Sequence, residues 1–135
     1  MVLDGEAVAH CQDGLPDFWG LRSRNGCASA CLYAFDLLFL IGEDLRPRPL
    51  DERRLRLANV LHGAGPALRE VEHLEGDGAR VFRHACALGL EGIISKRRDR
   101  PYRSGRSDHW QKIKNPKYVR RADRETDAAH LDPNR

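Results

Sequence analysis

Glu91, Lys96, Lys112 and Lys114 are the residues whose types and spacing suggest chemistry in this chain. Glu91 stands beside Gly92 and just ahead of Ile93-Ile94, and Lys96 closes the same run. A carboxylate at one end of a short strand suits a divalent cation, and an ammonium at the other end suits a phosphate. The β-branched pair favours extended, half-buried backbone, while glycine lets a bulky ligand approach the main chain. Further on, Trp110-Gln111-Lys112-Ile113-Lys114 alternates, so a strand here would carry both lysines on one face, about 7 Å apart. Two ammonium groups at that spacing match a phosphate; solvated charges guarding an edge strand would use the same residues.

Two upstream acids need positioning elements of their own. Glu6 projects from Val2 to Ala9, where apolar residues flank Asp4-Gly5-Glu6 and predict a strand. Asp36 interrupts the nearly continuous apolar run from Ala30 to Leu40, expected as a central strand buried on both faces. A carboxylate there is costly unless it is paired or faces a ligand, so Phe35-Asp36 marks where this strand meets the site, unless backbone amides satisfy it. Pro49 and Gly63 bracket a helix over Leu50 to Leu61, with Leu50, Leu57, Val60 and Leu61 buried and Asp51, Glu52, Arg53, Arg54 and Arg56 solvated. Val71 to Leu74 is a brief strand candidate. Asp77 caps a second helix that buries Val81, Phe82, Ala85 and Leu88 and stops at Gly89. Turn chemistry marks Asp13 to Pro16 and Arg24 to Gly26, and Phe18 to Leu21 forms an apolar patch between them.

The 135 residues, 41% hydrophobic and 32% charged, have the length of one modest domain or part of one. No apolar run approaches a membrane span, which predicts a cytoplasmic protein with no membrane partner. Cys11, Cys27, Cys31 and Cys86 are then expected as reduced, mostly buried thiols rather than a zinc site. From Lys96 to Arg124 twelve Lys and Arg face three Asp, whereas the other residues carry eleven cations and seventeen acids. Such a basic block suits a polyanion, with nucleic acid or a nucleotide the leading class.

Five pieces stand in a fixed order: Asp4-Gly5-Glu6, Tyr33-Ala34-Phe35-Asp36, Glu91 to Lys96, Pro101 to Arg106, and Trp110 to Lys114. Together they resemble the later motifs of the covalent nucleotidyltransferases, most closely the ligase domains of bacterial ATP-dependent DNA ligases of the end-joining type. The resemblance runs from about Leu3 to Pro116. It implies an α+β fold with a largely antiparallel sheet and flanking helices, and a partial adenylation domain over 1–116; the polar residues 117–135 show no packing pattern and are expected to form a mobile tail. It also implies strand-break sealing in DNA repair, with ATP and Mg²⁺ as cofactors and nicked or broken DNA as partner. In such ligases AMP passes from a lysine to the 5′-phosphate of the break, and the 3′-hydroxyl then displaces it.

Carried over by motif, Glu6 would contact the ribose or a water on the metal, Phe35 would stack on adenine, and Glu91 would hold Mg²⁺. Lys112 and Lys114 would neutralise the α-phosphate; Lys96, Arg103 and Arg106 would support them or grip the DNA backbone. The nucleophile motif Lys-x-Asp-Gly-x-Arg does not occur, and the four lysines are Lys96, Lys112, Lys114 and Lys117. Arginine stays protonated and cannot replace it. The expectation is an N-terminally truncated domain, inactive alone unless another chain supplies the lysine. A non-catalytic nucleic-acid-binding remnant is the alternative, and RNA ligation or messenger-RNA capping would use the same core chemistry.

Overall fold

The computed structural model describes residues 1–10, 17, 20–22 and 30–119. Cys11, Cys27, the turns at 13–16 and 24–26, Phe18, Trp19 and the tail from 120 lie outside the described residues. The elements follow as β1 (Val2–Val8), a 3-10 turn (Gly20–Arg22), β2 (Cys31–Leu40), β3 (Glu43–Asp44), α1 (Leu50–Leu61), β4 (Leu68–Glu70), α2 (Gly78–Ala87), β5 (Gly92–Lys96) and β6 (Trp110–Lys114). They form two compact units: Met1–His73 with Arg97–Ser107, and Leu74–Lys96 with the described residues from Asp108 on.

In the first unit β2 is the central strand. It pairs antiparallel with β1 and β3 and parallel with β4. Ala34 and Leu37 of β2 meet Leu45, just after β3, and Leu57 of α1 in the core, which Leu3, Leu40, Val60, Leu61 and Leu68 surround. α1 spans the predicted residues because Pro49 presets the entry and Gly63, at φ +79, releases the chain beyond its end. The structure departs from expectation at two strands. β2 is covered less completely than a two-sided core strand, with Leu32 and Phe39 reaching solvent. The strand expected at Val71 to Leu74 forms three residues earlier, where Leu68 can pack on the core and Leu32 to Ala34 offer a parallel edge.

Arg53 is the larger departure. Placed by sequence on the solvated face of α1, it is fully buried and makes a bidentate pair with Asp36, Nε to Oδ1 at 2.7 Å and Nη2 to Oδ2 at 2.8 Å. Its Nη1 donates to the carbonyl of Arg48 at 2.6 Å. Asp36 also accepts from the backbone amide of Leu37 at 2.9 Å. The anomalous carboxylate of β2 is thus satisfied within the protein.

In the second unit β5 and β6 pair antiparallel, and α2 packs against β5. Asp77 caps α2 by accepting from the Ala79 amide at 2.9 Å, and Gly89, at φ +72, ends it. Ala85 is buried as expected, whereas Leu88 remains 63% exposed. Among the described residues no helix is long and apolar enough to cross a membrane.

Candidate functional site

β5 and β6 bring four of the charged candidates onto one face. Register sets Gly92 opposite Lys114, Ile94 opposite Lys112, and Lys96 opposite Trp110, and residues directly opposite share a face. Lys112 Nζ donates to Glu91 Oε1 at 2.8 Å, with both side chains about half exposed. Lys96 Nζ lies 3.9 Å from the centre of the Trp110 ring, a cation–π contact that holds the ammonium over the indole. Ile94, between these groups, is 59% exposed. The result is an open face of one carboxylate and three ammonium groups around an apolar residue.

Gly92 has a different reason from the one the sequence suggests. At φ +152, a Cβ on this residue would run into the carbonyl oxygen of Ile113. The close approach belongs to β6 rather than to a ligand. Asn115 fixes the start of this segment, its amide donating to the Glu91 carbonyl at 2.7 Å and its side chain to the Leu90 carbonyl at 2.9 Å. The main chain bearing Glu91 is therefore tied down from the far end of β6.

In the first unit Glu6 is exposed on β1 opposite Tyr33, whose hydroxyl lies 3.3 Å from His10 Nε2. Gly5 permits the approach of β1 to β2 here, since a Cβ would stand 2.6 Å from the Tyr33 carbonyl oxygen. The register slips between Asp4, opposite Asp36, and Gly5, opposite Ala34. Phe35 is the residue skipped at this irregularity, a device that re-aims side chains next to binding sites. It is partly exposed. Arg103 and Arg106 are exposed in the segment 97–107 of the same unit. Glu6, Phe35 and the two arginines thus stand on the first unit, and Glu91, Lys96, Lys112 and Lys114 on the second.

Sequence alone gives Tyr102 no role of its own. Its hydroxyl donates to Asp4 Oδ2 at 2.8 Å across 98 residues, and its amide donates to the Arg46 carbonyl at 2.8 Å. Burial, then the bond to Asp4, pushes its pKa up to about 12. Asp44, two residues before Arg46, is held down to about 2 by hydrogen bonds from the Arg46 side chain and backbone. Asp44, Arg46, Pro47 and Pro101 to Ser104 line a cleft of about 330 Å³.

Among the described residues no three His, Cys, Asp or Glu gather as an all-protein metal cage requires. Magnesium instead takes one or two carboxylates and completes its shell with water and phosphate oxygens. A single half-exposed carboxylate such as Glu91 fits that second kind of site. Cys31 and Cys86 are free thiols and only partly buried.

Residues 1–114 match the family model of the ATP dependent DNA ligase domain, and the chain belongs to that family. The multifunctional non-homologous end joining protein LigD of Pseudomonas aeruginosa is 44% identical over 116 residues, 83% of this chain and 14% of that protein. The SPbeta prophage-derived DNA ligase-like protein LigB of Bacillus subtilis is 32% identical over 123 residues, 87% of this chain and 45% of that protein. Among solved structures, the ligase domain from M. tuberculosis LigD superposes with a TM-score of 0.70 at 37% identity. The alignment covers 83% of this chain and 37% of that one. A mycobacterial DNA ligase D complexed with ATP and MES gives 0.67 at 39% identity, with the same coverages of 83% and 37%. The chain therefore spans under half the length of each of these relatives. The α+β fold with its largely antiparallel pairing is that of the family's nucleotidyltransferase domain.

Proposed function

We propose that this chain supplies the nucleotide-handling part of an ATP-dependent DNA ligase that seals nicked or broken DNA during repair in the cytoplasm. The observation that carries this reading is the open β5–β6 face, where Glu91 and Lys112 lie 2.8 Å apart and Lys114 shares their side. Nucleotidyl transfer asks a protein chiefly to place positive charge where phosphate charge shifts, and to hold a divalent cation beside it. Lys112 and Lys114 neutralise the α-phosphate, and Lys96 supports them. Glu91 holds Mg²⁺, which when bound supplies Lewis-acid neutralisation of the phosphate oxygens. Phe35 stacks on adenine, Glu6 contacts the ribose, and Arg103 and Arg106 grip the DNA backbone. None of the four lysines stands in the nucleophile motif, so the lysine that carries AMP comes from outside these 135 residues, on another segment or chain.

The test is ATP with Mg²⁺ added to the purified chain, read by thermal shift and by intact mass. ATP is expected to raise the melting temperature without adding one AMP to the mass. Lys112→Ala is expected to weaken ATP binding about tenfold, the cost of one charge-assisted hydrogen bond. An AMP increment on one of the four lysines would overturn the nucleophile assignment. No ATP-induced shift, with DNA binding that falls steeply with salt, would leave a non-catalytic nucleic-acid-binding module.

A further inference from the structure

We infer that Tyr102 is a positioning residue: its tether to Asp4 holds the Arg103–Arg106 segment in the conformation that grips a nucleic-acid backbone. The inference rests on the reading above that these arginines contact DNA. Register sets two carboxylates directly opposite one another, Asp4 on β1 and Asp36 on β2. Like charges so placed repel, and each is answered by a separate donor. Asp36 takes the buried Arg53 guanidinium, and Asp4 takes the Tyr102 hydroxyl. The two donors are neighbours, since the Arg53 guanidinium carbon lies 5.8 Å from the centre of the Tyr102 ring.

The stretch that leads into this segment, Arg98 to Tyr102, is pinned at three further points by its main chain. The Arg98 and Arg100 carbonyls accept from the amides of Asp51 and Leu50, and the Tyr102 amide donates to the Arg46 carbonyl. These bonds fix the backbone up to Tyr102. Arg103 and Arg106 follow at once, exposed, with Gly105 between them at φ +79. Among the described residues no backbone hydrogen bond ties 103–106 to another element, so Tyr102 is the last fixed point before the arginines. Asp4 is also two residues from Glu6 on the same strand, so one hydroxyl links the arginine segment to the strand assigned to the nucleotide.

The probe is a fluorescent nicked duplex with a 5′-phosphate, titrated with the full chain by anisotropy across a range of KCl. Tyr102→Phe keeps the ring and removes the tether, and is expected to weaken binding about fivefold by lowering the population of the competent conformation. It should also flatten the log-affinity against log-salt slope by about one to two units, one for each phosphate that is no longer neutralised. Adding Arg103→Ala and Arg106→Ala to Tyr102→Phe should then cost less than the same pair costs in the wild type. Asp4→Asn, which keeps an acceptor oxygen, should bind like the wild type, whereas Asp4→Ala should reproduce Tyr102→Phe. Asp4→Ala serves as the second route should Tyr102→Phe not fold.

Wild-type affinity and slope in Tyr102→Phe, with weakening in the arginine variants, would overturn the inference and leave the DNA reading intact. Full additivity would also overturn it, because a merely structural tyrosine lowers melting without changing what the arginines contribute. No effect from either arginine would sink the DNA-backbone reading and the inference together.

Discussion

Asp36 and Arg53 show what one residue's environment decides. Both are fully buried, so each depends on the other to answer its charge. Removing one member of such a pair costs about 3–5 kcal/mol, because the other is left charged and unanswered, while replacing both with apolar residues can be near neutral. Arg53→Ala is therefore expected to lower stability by about 3–5 kcal/mol in urea melts, and Asp36→Leu with Arg53→Met by much less. Equal losses in the two variants would mean that packing volume, not the stranded carboxylate, sets the cost. Apolar neighbours announce Asp36 in the sequence, yet they point it toward the site. Arg53 was legible in principle: it lies three residues after Leu50 and four before Leu57, on the helix stripe that faces the core. Its charge outweighed its spacing. Glu91, Lys112 and Lys114 were legible because acid, cation and strand alternation occur together in a short span, and Tyr102 was not, because its partner is 98 residues away.

At the scale of elements, α1, the capped start and glycine stop of α2, and strands β5 and β6 could be read from periodicity and end signals. β3 and β4 could not. They are two and three residues long, too short for a period of two to show, and they exist because β2 offers edges to pair with. The β2–β3 connection carries a local conflict. Ile41 and Gly42 form a two-residue turn with φ of +46 and +81, the geometry of a hairpin turn that favours Asn-Gly. A β-branched residue in the left-handed region is strained, and Ile41 gains nothing from burial, being 92% exposed. Ile41→Asn is accordingly expected to stabilise the protein by about 1 kcal/mol. A melting temperature that stays level or falls in that variant would count against a strained turn.

For the molecule as a whole, the α+β class and the family were legible from five motifs in order, whereas the division into two units was not. That division follows from pairings distant in sequence, such as Tyr102 with Asp4, and the basic block from Lys96 on does not reveal it because the block runs through both units. The same pairing gives an alkaline signature. The folded state raises the Tyr102 pKa from the ordinary 10 to about 12, so its contribution is complete below pH 10 and is lost as pH rises through about 12. Wild-type chain is expected to lose melting temperature between pH 10 and 12 more steeply than Tyr102→Phe, which lacks the hydroxyl that loses its proton there. Parallel curves for the two would show that the tether contributes no stability. The chain crosses between the units three times, after His73, Lys96 and Ser107. On a ribosome, which delivers the chain from its first residue at on the order of ten residues per second, β1 must wait for Tyr102 through the synthesis of α1, α2 and β5. Until then the Asp4–Asp36 repulsion is only half answered. Maturation therefore cannot run from front to back, and the nascent first unit stays unlatched until the arginine segment leaves the exit tunnel.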